Sequence, residues 1–312
     1  MRAFIFPGQG SQSVGMGKAL AEAFAAAREV FEEVDDALNQ RLSKLMWEGP
    51  ESELALTENT QPAVMTASIA ALRVLQKGGA LDLSKHARLV AGHSAGEYAA
   101  LCAAGAFTLS DTARLLRTRG RAMQDASPVG EGAMSALLGI EMNLVEEACK
   151  EASDVGVVVV ANDNAPGQIV ISGAAKAVEK ANEIAKKKGA KRAIPLNVST
   201  PNHSPLLKPA AEKMREALAR IAIRPTIVPL VSNVTAAEVA EPDLIRSLLV
   251  DQLTARVRWR ESVAGFRGLG AAMTVEMGGN KVLTGMVKRI DKDLEPVTLD
   301  SPADIEAFAK TL

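Results

Sequence analysis

Leu89-Val90-Ala91-Gly92-His93-Ser94-Ala95-Gly96 sets the reading of the whole chain. Three apolar residues make a short buried strand, and a helical pattern follows from Glu97 to Ala104. Between them, Gly92 to Gly96 fits G-x-S-x-G, the sharp strand-to-helix turn that lifts a serine oxygen above the edge of an α/β sheet. The flanking glycines let backbone pass closely, and the N–H groups that open the next helix face a reacting carbonyl. A glycine-containing β-to-α turn is common in any α/β protein. The strand before it and the helix after it favour Ser94 as a nucleophile.

On either side of this turn, short apolar strands alternate with longer helical patterns, which predicts an α/β fold with a mainly parallel sheet. Phe4 to Phe6 reads as the first strand, helical periodicity runs from about Met16 to Leu45 and from Gln61 to Leu75, and a helix capped by Ser110 runs towards Met123. From Gly132 to Val198 the order changes to strand (Met134–Ile140), helix (Asn143–Ala152), strand (Val155–Ala161), turn (Asn162–Gly167), strand (Gln168–Ser172), helix (Ala174–Lys188) and strand (Arg192–Val198). That β-α-β-β-α-β order predicts a ferredoxin-like lobe over 128–198. It is inserted into a large α/β-hydrolase-like lobe made of 1–127 and 199–312. The large lobe continues with a helix (Leu206–Ile221), strand (Ile227–Ser232), helices (Leu244–Leu253, Glu261–Phe266), strand (Met273–Met277), helix (Lys281–Ile290), strand (Pro296–Leu299) and a last helix.

Of the 312 residues, 36 are basic and 37 acidic, a formal net charge of -1 that argues against bulk attraction to nucleic acid or an anionic membrane. No stretch reaches the ~20 apolar residues of a membrane span. Cys102 and Cys149 form neither a disulfide framework nor a zinc spacing, which fits a reducing cytoplasm.

A serine hydroxyl needs a base at neutral pH, and the chain holds three histidines. His86 lies six or seven residues upstream, and at ~3.3 Å per strand residue it falls near the far end of the sheet. His93 adjoins Ser94, and neighbouring side chains at a strand end point to opposite faces. His203 remains, in Ser199-Thr200-Pro201-Asn202-His203-Ser204-Pro205, where two prolines stiffen a polar loop. No carboxylate stands beside it to orient the imidazole, so a distant acid or a backbone carbonyl could fill that role. Phe6-Pro7-Gly8-Gln9-Gly10-Ser11-Gln12, after the first strand, lacks the third glycine of a dinucleotide fingerprint and the Gly-Lys-Ser/Thr of a P-loop. It reads equally as a structural turn or as a source of N–H groups for an oxyanion.

Taken together these segments resemble the malonyl-CoA:acyl carrier protein transacylases of bacterial fatty acid synthesis, over essentially the whole chain. Asn59-Thr60-Gln61-Pro62-Ala63, Gly92 to Tyr98, Arg119-Gly120-Arg121-Ala122-Met123-Gln124, Pro166 to Gly173, the His203 loop, Asp251-Gln252-Leu253 and Lys281 to Gly285 carry the likeness. The resemblance implies Ser94 as nucleophile, His203 as base, Gln252 orienting His203 through its main-chain carbonyl, and the N–H groups of Gln9 and Ala95 as the oxyanion hole. Arg119 would pair with the malonyl carboxylate, and Gln61 and Asn162 would line the cleft between the lobes. The substrates implied are malonyl-CoA and acyl carrier protein, with no cofactor of the enzyme's own, since phosphopantetheine belongs to the carrier. The expected protein is a cytoplasmic monomer. Carriers are acidic, so the basic run Lys186 to Arg192, with Lys191 and Arg192 foremost, is the expected docking site. A helix end rich in solvated cations is the plainer account of that run. Asn202 stands where malonyl-selective relatives often carry Phe or Ser, at the border of the acyl pocket. A serine esterase would instead bring a His-Gly-Gly-type loop and an acid between serine and histidine, and neither is recognisable.

Overall fold

The computed structural model describes residues 1–128, 130–198 and 200–312. Val129, in the small-lobe span, and Ser199, which opens the His203 loop, lie outside them.

Among the described residues ten strands form two sheets: β1 (Arg2–Phe6), β2 (Ala87–Gly92), β3 (Gly132–Leu138), β4 (Val158–Ala165), β5 (Gln168–Ala174), β6 (Arg192–Pro195), β7 (Leu230–Val231), β8 (Glu238–Val239), β9 (Met273–Met277) and β10 (Glu295–Leu299). The first sheet runs β10-β9-β1-β2-β7-β8, parallel except for β8 against β7. Side chains alternate across it: Phe4, Phe6 and Val90 pack into one core, Ala3, Ile5, Leu89 and Ala91 into another with Trp259 and Phe266. Both faces are buried under helices, as a parallel sheet requires. The second sheet, β4-β5-β3-β6, is antiparallel throughout, the spatial order of a ferredoxin-like β-α-β-β-α-β unit. The helices Met142–Ala152 and Ala175–Lys187 cover one face, and their Val145, Ala148, Val178 and Ala181 pack on Leu137 and Ile171.

Several elements differ from the sequence reading. The Met16–Leu45 stretch forms three helices, Lys18–Ala23, Ala25–Leu38 and Leu42–Glu48, because Phe24 is extended and Asn39 left-handed. The cap of helix Leu109–Asp125 is Thr108, whose hydroxyl accepts from Asp111 N–H at 3.0 Å. Pro195, without an N–H, ends β6 before Val198, and Pro229 confines the strand expected over 227–232 to two residues. The turn expected at Asn162–Gly167 is largely strand: Asn162, Asp163 and Asn164 belong to β4. Their polarity suggests a loop, but Asn162 bridges to Val257 of the large lobe, where Asp163 N–H donates to Val257 O at 2.9 Å. The Asp163 carboxylate meets Arg260 at 2.8 Å. No helix among the described residues is long and apolar enough to cross a membrane.

Candidate active site

The C-terminal ends of β1 and β2 lie side by side, Phe6 against Gly92, and the site grows from both. In the turn after β2, Ser94 sits at φ 53°, a left-handed conformation that costs a non-glycine residue energy. The helix Gly96–Ala103 starts hard against the end of β1: a Cβ on Gly96 would stand 2.1 Å from Phe6 O. The turn after β1 is pressed on the same spot, since a Cβ on Gly8 would stand 2.3 Å from His93 O and 3.8 Å from Ala95 N. The turn that carries Gln9 thus lies against the start of the helix at Ala95, and neither the Gln9 nor the Ala95 main-chain N–H has a partner among the described residues.

Asn233 holds the strained serine in place. Its Oδ1 accepts from Ser94 N–H at 2.7 Å and its Nδ2 donates to Gly92 O at 2.6 Å, so it clamps both ends of the turn. The Ser94 hydroxyl lies 2.8 Å from His203 Nε2, and His203 Nδ1 lies 2.8 Å from Gln252 O. That carbonyl can only accept, so Nδ1 carries the proton and Nε2 is left as the acceptor facing Ser94. His203 is also left-handed, at φ 59°. Burial, and then the nearby Arg119 cation, hold its pKa down to about 3.

Arg119, on helix Leu109–Asp125, is fully buried. Its Nη2 donates to Ser94 Oγ at 3.2 Å and to Gln252 Oε1 at 3.1 Å, while Nε and Nη1 have no partner among the described residues. Its Cζ lies 5.8 Å from the Tyr98 ring centroid. Burial draws the guanidinium below the usual arginine range. A carboxylate that displaced the Ser94 hydroxyl from Nη2 could take two parallel N–H groups of this fork. Such a partner would answer the cost of an unpaired buried charge.

The cleft at Ser94 is lined on the large-lobe side by Gln9, Gln61, His93 and His203, and by Val282, Leu283 and Met286 of helix Val282–Ile290. Met134, Asn162 and Val170 of the antiparallel sheet, and Leu196 just past it, close the other side, and Asn202 lies beside His203. Gln61 and Asn162 therefore both line it; the Gln61 amide donates to Met123 Sδ at 3.4 Å, and its Oε1 has no partner among the described residues. Lys191 and Arg192 are exposed at β6, an edge of the small sheet, and neither is ion-paired among the described residues. The other histidines go elsewhere. His86 accepts from Asp82 N–H at the far end of β2, and His93 bonds Asn164 Oδ1 at 2.8 Å and packs on Trp259. No group of three or more His, Cys, Asp or Glu among the described residues could hold a metal.

Sequence reading assigned nothing to Asn233, Asn164 or Glu97. Asn233 had a signal: it lies two residues past the end of β7, beside the strand that bears the elbow, and sites in parallel sheets gather at the carboxyl ends of strands. Glu97 had none beyond its place after the elbow, since an acid in a first helical turn normally faces water. Here it is buried, accepting from Gln252 Nε2 at 2.6 Å and Asn233 N–H at 3.3 Å, and burial raises its pKa to about 7 against those bonds and the Arg119 field.

The acyl transferase domain family matches residues 3–299. The malonyl CoA-acyl carrier protein transacylase of Bacillus subtilis strain 168 is 46% identical over 311 residues, 99% of this chain and 96% of that one. Among solved structures, the acyl-carrier-protein-S-malonyltransferase of Bartonella henselae is 53% identical with a TM-score of 0.97, covering 99% and 98% of the two chains. A malonyl-transacylase in complex with its type II PKS acyl-carrier protein is 41% identical, with a TM-score of 0.96 over 100% and 99%. With these likenesses running the length of the chain, it belongs to the acyl transferase family, among the malonyl CoA-acyl carrier protein transacylases.

Proposed function

We propose that this acyltransferase moves the malonyl group of malonyl-CoA onto the phosphopantetheine thiol of acyl carrier protein through a malonyl ester of Ser94, supplying the extender unit for fatty acid synthesis. The reading rests on one convergence: His203 Nε2 and Arg119 Nη2 both reach the Ser94 hydroxyl, at 2.8 and 3.2 Å. Ser94 Oγ attacks the thioester carbonyl as His203 takes its proton, with Gln252 O fixing the ring. The N–H groups of Gln9 and Ala95 hold the developing oxyanion, and each such donor is worth about 10²–10³ in rate. CoA leaves as its thiolate and takes the proton from His203. The carrier thiol then gives its proton to His203 and attacks the ester carbonyl; the acyl–Oγ bond breaks and Ser94 Oγ takes the proton back from His203, a ping-pong sequence.

Arg119 selects the acyl group. A malonyl carboxylate pairs with the guanidinium, whereas acetyl leaves a buried cation unpaired, a difference of roughly 3–5 kcal/mol. The same pairing offsets the Arg119 cation, which after burial is the second cause of the low His203 pKa. Malonyl thus strengthens the base that activates its own attack. Gln61 and Asn162 flank the acyl group, and Asn202 borders the acyl pocket beside the base. Lys191 and Arg192 dock the acidic carrier. No cofactor is needed, because every proton and charge in the sequence has a side chain or N–H to receive it. The protein works as a monomer in the cytoplasm, a setting that its two unpaired cysteines suit.

Intact mass after exposure to malonyl-, methylmalonyl- and acetyl-CoA tests the reading. A stable malonyl adduct on Ser94, discharged by holo-carrier, is expected. Rapid release of free malonate instead would make the protein a hydrolase.

A further inference from the structure

Glu97 is the least expected group near the site. Its side chain makes no hydrogen bond or ion pair with Ser94, His203 or Arg119 among the described residues, yet it is 1% exposed. Its main bond, 2.6 Å from Gln252 Nε2, is to the residue that touches all three. Gln252 gives its carbonyl to His203 Nδ1, its Oε1 to Arg119 Nη2 and its Nε2 to Ser94 O at 3.1 Å.

A carboxamide has two ends of opposite polarity, and the surroundings of Gln252 tell them apart. The Nε2 end faces three acceptors: Glu97 Oε2, Ser94 O and, at 3.4 Å, Asn233 Oδ1. The Oε1 end faces a guanidinium. Rotating the amide by half a turn would set an oxygen against a carboxylate and an NH₂ against a cation. Asn233 is held by the same carboxylate, through its N–H, and in turn holds Ser94 N–H. Glu97 therefore lies behind both Gln252 and Asn233, the two residues that hold Ser94, His203 and Arg119.

We infer that Glu97 is a positioning residue: by its reach to the Gln252 side-chain amide, rather than by its charge, it fixes the orientation in which Gln252 Oε1 aims Arg119 at the acyl carboxylate. The inference rests on the acyl transfer proposed above. It separates two properties of one carboxylate. Glu97→Asp keeps the charge but draws the oxygens back by about one C–C bond, ~1.5 Å, beyond hydrogen-bond range of Gln252. Glu97→Gln keeps an acceptor oxygen in place and removes the charge.

The measurement is the single-turnover rate constant for acylation of Ser94, by malonyl-CoA and by acetyl-CoA, read by rapid quench and intact mass. Rate constants report on folded molecules alone, so partial unfolding lowers the amplitude and leaves the malonyl-to-acetyl ratio unchanged. A slack Gln252 lets Arg119 drift, which costs malonyl its carboxylate partner and acetyl none, so the ratio is the readout that a merely structural role would not move. In Glu97→Asp the ratio is expected to fall more than about fivefold, and Glu97→Gln, the conservative variant, keeps it within about fivefold of wild type. Any other pattern overturns the inference. Equal falls in both variants would assign the effect to charge, and failure of Glu97→Asp to fold would make the carboxylate a structural one. If the wild type forms no malonyl ester on Ser94 at all, it is the proposed function that fails.

Discussion

The two walls of the cleft hold their atoms by different means. On the wall carried by the parallel sheet, Ser94, His203, Arg119, Gln252, Glu97 and Asn233 form one hydrogen-bonded body, and two of its members sit in left-handed backbone. Across from it the small lobe offers Met134, Val170 and Leu196, apolar groups held by packing, and Asn164, which reaches over to His93. Polar networks in a dry site are directional, and losing one member leaves its partners unsatisfied. Packed apolar groups share their burden and give way by degrees. The first wall should therefore hold the chemistry, and the second should set shape and the fit between the lobes.

That division breaks most visibly at the dyad. Ser94→Ala or His203→Ala is expected to lower malonyl transfer by about 10⁴-fold or more, with the double variant little worse than either, because residues that act as a unit do not add. A loss under a hundredfold in steady-state transfer would mean that the proton has another route. Next in size is Arg119→Lys. Lysine keeps the charge and loses the planar fork, so malonyl acylation should fall about 10²–10³-fold while acetyl acylation changes less than tenfold. Parallel competition assays with the two thioesters read the difference directly. If both fell together, Arg119 would be supporting Ser94 rather than choosing the acyl group.

On the opposite wall the expected loss is in stability. The Asp163 side chain is 2% exposed and receives Arg260 Nε on both oxygens at 2.9 Å, joining β4 to the helix Trp259–Gly265. Asp163→Asn leaves the cation half-satisfied, a cost of about 1–3 kcal/mol, and a melting point lower by a few degrees follows. Acylation at 25 °C should stay within about threefold of wild type. A larger loss of rate than of stability would show that the two walls do not divide the work in this way.

Much of this was open to reading before any coordinates. The elbow is legible because its strand, G-x-S-x-G turn and helix are consecutive in sequence, although Asn233 from far along the chain clamps it. The small lobe was readable for the same reason, because its six elements are consecutive. Hydrophobic alternation, however, could not place Asn162, Asp163 and Asn164, whose polarity is answered by Val257, Arg260 and His93 from far along the chain. Glu97 and Asn233 were hidden likewise. Each looks like an ordinary polar residue, and only burial beside Gln252 gives it a task. Pairings across 136 to 155 residues leave no periodic trace.

The smallest expected effect is a flat line. In the proposed mechanism His203 is the base and acts as the neutral imidazole, so the rate falls only where the ring takes a proton in the free enzyme. An unperturbed histidine would lose activity as pH drops through 6.5. Burial and Arg119 hold this one at about 3, which moves the loss well to the acid side. Glu97 titrates within the accessible range, at about 7, but a protonated carboxyl keeps an oxygen for the Gln252 amide, as glutamine would. The kcat/KM for a short malonyl thioester, which lacks the titrating phosphate of CoA, should thus stay level within about twofold from roughly pH 5 to 8. A step near 6.5 would put His203 in contact with water and undo the buried dyad. A step near 7, absent in Glu97→Gln, would leave the dyad intact and show that the charge on Glu97 matters as well as its reach.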